Sequence, residues 1–229
     1  MKTFNHVGLE PIEMVARTTE GERLYLTPTG NRYPSVTTVI GNNSKKKAAI
    51  AKWRKRVGSE EANRISSRAT GRGDKVHKLY EYYINNELTT DILGEDVQSK
   101  YMFNNSRHVI DRINNVYLQE AALYSDILKI AGRVDCIAEY NGVLSIIDFK
   151  TSAKPKRESY LYDYYVQEAA YAVMLRECYN MTVKQLVTII ACENGDTQVQ
   201  VVEPKREYFL KLYEYIQEYR NTYDPKTGG

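Results

Sequence analysis

At 229 residues, 42% hydrophobic and 27% charged, the chain has the make-up of an ordinary folded domain that can bury a core. A formal net charge of +3 excludes a uniformly basic surface, so any site for a polyanion must be local. Three scattered cysteines, Cys136, Cys178 and Cys192, fit buried or free thiols in a reducing compartment and are too few for the four thiolates of an iron–sulfur cluster.

No stretch is long and apolar enough to span a bilayer. The first residues, MKTFNHVGLEPIEM, have no apolar signal core and carry two glutamates, which makes them a poor leader. A bacterial or phage-infected cytoplasm is the expected compartment, or the mitochondrial matrix if a leader has been removed. Tyrosine is abundant, at 20 residues, and is expected to fill half-buried positions, with base stacking reserved for a few.

In chain order, Arg23–Thr27 reads as a short strand followed by turn signals at Pro28 to Asn31. Ser35 can cap a short helix over VTTVI. Lys45 to Val57 reads as a basic helix closed by Gly58, in which Trp53 is expected as a core anchor. Ser59 opens another helix, to about Thr70. Gly71 and Gly73 should interrupt it before Asp74 to Asn85 resumes, with Val76, Leu79, Tyr80 and Tyr83 at helical spacing. Asp96 to about Leu118 reads as a further helix.

The second half changes character. Ile127 to Tyr140 and Val143 to Thr151 are β-rich and flank Asn141-Gly142, a strong hairpin signal. Ser159 to Tyr179 returns to a helical pattern. Leu186 to Cys192 and Gln198 to Val202 read as strands, and Pro204 starts a last helix ending near Tyr223, before a loose Gly-rich tail. The order predicts one α/β (α+β) domain over 1–229. Residues 1–120 would form a mainly helical part, 121–203 a mixed central sheet, and 204–229 the C-terminal helix and tail.

The hairpin carries the chemistry. A two-residue type I′ turn at Asn141-Gly142 pairs Tyr140 with Val143 and, further out, places Asp135 opposite Asp148. Two carboxylates so placed repel, and a hard divalent cation between them removes the repulsion. Lys150, two residues beyond Asp148, shares their face and could orient a water or offset phosphate charge. The Phe149 carbonyl is a further candidate ligand. The same arithmetic sets Arg133 opposite Lys150, two cations face to face, unless Gly132 marks a bulge.

AGRVD, then IIDFKTS, then QEAAY resemble the RecB-like branch of the PD-(D/E)XK nucleases, and specifically its mitochondrial genome maintenance exonuclease group with phage and bacterial relatives. DCIAEYNGVLSIIDFKTSAKPK carries the likeness most specifically. YPSVTTVI, Lys52-Trp53 and RGDKVH extend it, over roughly Tyr33 to Tyr179. The resemblance implies a restriction-endonuclease-like core and a DNA exonuclease acting on single strands with a free end. It implies Mg²⁺ or Mn²⁺ held by His77, Asp135, Asp148 and Phe149, with Glu120 at a loosely spaced acidic position. Asp135, Asp148, Lys150 and His77 are the implied catalytic set.

Gln167 and Tyr171, the Q-x-x-x-Y pair, would touch substrate or brace the site. Arg72 in RGDKVH, and Lys154, Lys156 and Arg157 after the catalytic strand, are expected to contact DNA phosphates. A monomer is expected, with replication or recombination proteins as partners and no membrane. A structure-selective endonuclease and a catalytically silent nucleic-acid-binding subunit are the competing readings. Arg133 departs from the small or apolar residue usual in that position.

Overall fold

A computed structural model describes residues 2–19, 22–94 and 96–223. Asn141 and Gly142 have φ of 52° and 79°, the double positive φ of a type I′ turn, and join β5 (Ile130–Tyr140) to β6 (Val143–Ser152). The pairing runs as the turn dictates from Tyr140↔Val143 to Cys136↔Ile147. Strand β6 then pairs in parallel with β7 (Gln185–Cys192), and α5 (Tyr162–Tyr179) provides the crossover that parallel strands need. Antiparallel β8 (Thr197–Val202) and β4 (Ile113–Ser125) complete a five-stranded mixed sheet in the order β4-β5-β6-β7-β8. The α/β architecture with a mixed central sheet flanked by helices is therefore the one expected.

Each face of the sheet has its own core. Ile137, Ile146, Leu186 and Ile190 pack against α5 and against α6 (Arg206–Tyr223), through Tyr165, Met174 and Leu212. Cys136, Ile147, Phe149, Val187 and Ile189 pack on the other side against α3 (Ser59–Ile84) and α4 (Val97–Ile110). Neighbours such as Ile146 and Ile147 thus serve opposite layers, as a two-residue period requires. Each such buried side chain contributes about 1.5–3 kcal/mol.

A small sheet of β1 (Val15–Thr19), β2 (Glu22–Leu26) and β3 (Arg32–Pro34) packs Tyr25 and Tyr33 on Ala131. Helix α1 (Val36–Gly41) is capped by Ser35, which accepts from the Thr38 amide at 3.0 Å. Basic α2 (Ser44–Val57) follows.

Four expectations change. Helix α3 runs unbroken through Gly71 and Gly73. Each interior glycine costs about 1 kcal/mol, and buried Val76, Leu79, Tyr80, Tyr83 and Ile84 outweigh it. The expected helix to Leu118 instead ends at Ile110, and Ile113–Ser125 is strand β4. Register shifts on either side of Val116 insert extra residues, and Glu120 holds a positive φ, so a period of two reads in sequence as spacings of two and three. Strand β1 had no sequence signal and exists by pairing with β2. Trp53 is half-buried and belongs to none of the hydrophobic clusters, so it is not a core anchor. The tail from 224 on lies outside the described residues.

Gly142 holds a left-handed conformation that costs a residue with a Cβ about 1–2 kcal/mol. Gly142→Ala should lower unfolding free energy by that amount in urea denaturation, whereas Asn141→Gly should change it little.

Candidate active site

The site forms where the hairpin ladder gives out. Pairing between β5 and β6 stops at Cys136↔Ile147, one pair short of the aspartates. Asp135 is therefore not a ladder partner of Asp148: its Oδ2 accepts the Phe149 amide at 2.7 Å, replacing a backbone carbonyl. On the other edge, β4 and β5 both turn over. Gln119↔Cys136 and Ala121↔Val134 are successive partners. Yet Cys136 packs on the α3 side of the sheet, whereas Ala121 and Val134 pack on the α5 side. Glu120 and Asp135 sit at the turnover, and Glu120 holds φ of 48°, an unfavourable conformation for a residue with a side chain.

Helix α3 brings His77 to the same point. One ligand atom each from His77, Glu120 and Asp135 lie within 4.8 Å of one another, with His77 Nδ1 3.7 Å from Asp135 Oδ2. The imidazole stands edge-on to Phe149, with ring centroids 6.2 Å apart. Glu81, one turn on, is bonded to Lys78 at 2.8 Å. One imidazole and two carboxylates at this spacing form a donor set that suits Mg²⁺ or Mn²⁺. In an extended strand a residue's N–H and C=O leave by one edge, so the Phe149 carbonyl faces Asp135 as its amide does.

Asp148 lies outside this three-residue group. It is buried, paired with the Lys150 ammonium through Oδ2, and its Oδ1 accepts from Gln167 Nε2 at 3.2 Å. Lys150 also stands 5.3 Å over the Tyr164 ring. His77, Glu120, Asp135, Lys150 and Thr151 line one open, polar cleft of about 520 Å³, rimmed by Arg23, Lys78 and Arg133.

Burial raises the Glu120 carboxyl to about 7, and the charges of Asp135 and Glu81 add to the effect. Burial likewise raises Asp148; the Lys150 ammonium offsets part of this and Asp135 reinforces it. For Lys150 burial acts to lower the pKa, but the charges of Asp148 and Asp135 outweigh it and keep the ammonium charged.

The other anticipated residues divide. Gln167 reaches Asp148, and Lys154 and Arg157 are exposed on the loop after β6. Lys156 is half-buried, its backbone exchanging hydrogen bonds with Gln198 at 2.8 and 3.0 Å. Tyr171 does not line the cleft: it is buried and donates to the Arg133 carbonyl at 2.8 Å, the geometry of a brace. Gly132 makes room for it, since a Cβ there would lie 2.9 Å from the phenol oxygen. Arg72 lines a different pocket and is bonded to Glu193 rather than turned to the acidic cleft. Arg133 pairs with Ala122 and does not oppose Lys150; its guanidinium is 3.8 Å from Glu120.

The sequence reading missed Glu168, which is fully buried one residue from Gln167 and accepts from Thr188, itself the ladder neighbour of Asp148. Burial raises its pKa well above the usual carboxylate range. A glutamate at an apolar helix position was the available signal. Glu81, Arg23 and Lys78 were also missed; Lys78 and Glu81 share helix α3 with His77, whereas Arg23 reaches the cleft through tertiary packing alone.

The raised pKa of Glu120 means that the fold favours its neutral form. Its stabilising contribution is present below the ordinary 4.5 and is lost as pH rises through about 7. In EDTA, wild type should lose stability relative to Glu120→Gln between about pH 5 and 8, measured by thermal unfolding. Adding Mn²⁺ should reverse the order at the upper end, because the ion binds the charged carboxylate.

Comparison with known proteins gives, among others, a family model, two relatives and one solved structure. The model of the PD-(D/E)XK nuclease superfamily matches residues 42–225. Mitochondrial genome maintenance exonuclease 1 of Mus musculus is 27% identical over 214 residues, 86% of this chain and 62% of the mouse protein. Its Homo sapiens counterpart is 28% identical over 132 residues, 55% of this chain and 38% of the human protein. The chain thus spans less than two thirds of the length of these relatives. A solved structure from Eubacterium rectale, provisionally named an exonuclease, covers 66% of both chains with a TM-score of 0.43 and 12% identity. With its match running through the hairpin, the acids and the flanking helices, the chain belongs to the PD-(D/E)XK nuclease superfamily.

Proposed function

We propose that the protein is a divalent-metal-dependent deoxyribonuclease that hydrolyses phosphodiester bonds, an exonuclease on single-stranded DNA with a free end. The observation that carries the reading is the convergence of His77, Glu120 and Asp135 with Lys150 in one open, cation-rimmed cleft. Family membership supports a nucleic-acid substrate, and the names of the mouse and human relatives support the exonuclease assignment.

His77, Glu120, Asp135, Asp148 and the Phe149 carbonyl would hold Mg²⁺ or Mn²⁺. When bound, the ion supplies a Lewis acid for the phosphoryl oxygen and lowers the pKa of water. Lys150, kept charged by its acidic neighbours, donates to a phosphate oxygen and offsets charge that builds there. Releasing its ammonium from Asp148 would be required before it acted as a base. Gln167 holds Asp148 in place, and Tyr171 fixes the strand that carries Asp135. Lys154, Lys156 and Arg157 bind phosphates flanking the scissile bond. The reading extends to a monomer in replication, repair or recombination, in a bacterial or phage-infected cytoplasm or a mitochondrial matrix.

Asp148→Ala and Lys150→Ala should each lower the release of labelled nucleotides from linear single-stranded DNA by at least about 100-fold in Mn²⁺. Closed circular single strands should survive. Variants that cut at the wild-type rate would remove the catalytic assignment, and cleaved circles would make the enzyme an endonuclease.

A further inference from the structure

A helix on a folded domain ordinarily buries an apolar stripe. Helix α2 buries none of its 14 residues. Its sequence, SKKKAAIAKWRKRV, has seven cations and no acid. Lys46 pairs with Asp163, Arg54 with the Asn63 amide oxygen, and Lys47 stands over the Tyr223 ring. Among the described residues, Lys52, Lys55 and Arg56 have no carboxylate partner.

The apolar residues that should have entered the core, Ile50 and half-buried Trp53, instead line a groove of about 750 Å³. Tyr160, 67% exposed and from outside α2, also lines it. The volume falls within the roughly 300–1,000 Å³ of pockets that hold organic ligands. Both linings are continuous along the chain with elements of the acidic cleft. After Gly58 the chain from α2 continues as α3, which carries Gly73 and His77. Tyr160 ends the short 3-10 turn Glu158–Tyr160, ten residues beyond Lys150 and just past the exposed loop bearing Lys154 and Arg157.

We propose that this groove is a second nucleic-acid subsite, remote from the acids, in which unpaired bases stack on Trp53 and Tyr160 while Lys52, Lys55 and Arg56 neutralise their phosphates. Exposed aromatic faces interleaved with unpaired cations are what a single strand requires. A duplex hides its base faces, and an acidic peptide would use the cations but leave the aromatic rings idle. The choice of a nucleic acid as occupant rests on the nuclease reading, whereas the groove itself does not.

Trp53 is the only tryptophan, so fluorescence excited at the long-wavelength edge, where the 20 tyrosines do not absorb, reports this groove alone. Whole protein is titrated with oligothymidylate in EDTA, where metal-dependent cutting is off. Oligothymidylate should quench Trp53, whereas an abasic oligonucleotide of equal charge and poly-glutamate should not. Tyr160→Ala, on an exposed ring, should keep the fold and weaken oligothymidylate binding roughly tenfold, the loss of about one stacked base. Trp53→Leu should do the same by fluorescence anisotropy of labelled oligonucleotide.

Absence of quenching at saturating oligothymidylate would overturn the proposal. So would equal quenching by the abasic strand or poly-glutamate, or unchanged affinity in Tyr160→Ala. Failure here with catalysis lost in Asp148→Ala removes only the groove. Quenching with Asp148→Ala still cutting removes only the catalytic assignment.

Discussion

Carboxylates crowded together in a partly buried cleft repel one another, and that repulsion organises this site. Glu120 and Asp135 place oxygens within 4.8 Å, where two charges repel by about 3–4 kcal/mol at an effective dielectric near 20. Burial, reinforced by this repulsion, raises the Glu120 pKa to about 7, and the nearby Arg133 guanidinium offsets part of the charge. The Asp135 carboxylate is also held by the Phe149 amide. A divalent cation would relieve the rest. The positive φ of Glu120 is then understandable as strain kept because it turns that side chain into the cleft.

The groups around the acids are fixed from behind. Strand β6 is buried on both faces at Asp148 and Phe149, and β7 is buried almost throughout, so the Asp148–Lys150 pair sits on rigid backbone. Helix α5 supplies adjacent Gln167 and Glu168 and, one turn on, Tyr171, bonded respectively to Asp148, to Thr188 and to the Arg133 carbonyl. Tyr171 can reach that carbonyl only because residue 132 has no side chain. One helix therefore ties together β5, β6 and β7 at the level of the site, and α3 closes the other side with His77 wedged against Phe149.

Helix α2 is built on other terms. It adds nothing to the hydrophobic clusters and keeps its cations and its tryptophan at the surface. Burial therefore stabilises this segment little. The net charge of +3 conceals its cations, because the acids of the chain lie elsewhere while α2 has none.

The sequence by itself determined the hairpin, since Asn141-Gly142 admits one turn geometry and that geometry fixes the register as far as Cys136↔Ile147. It also determined the α/β order of the second half and the core stripe of α3 through local periodicity; it offered Asp135, Asp148 and Lys150 as candidates through the hairpin arithmetic, and His77 only through the resemblance to the PD-(D/E)XK nucleases. Only the tertiary structure decided where the ladder breaks, because that depends on Asp135 capturing the Phe149 amide. It alone turned 113–118 into strand, since bulges disguise a two-residue period until a partner strand is present. It alone assigned Tyr171 to bracing, Arg72 to Glu193 and Trp53 to the surface, because burial and partnership are properties of what packs against a residue and not of the residue itself.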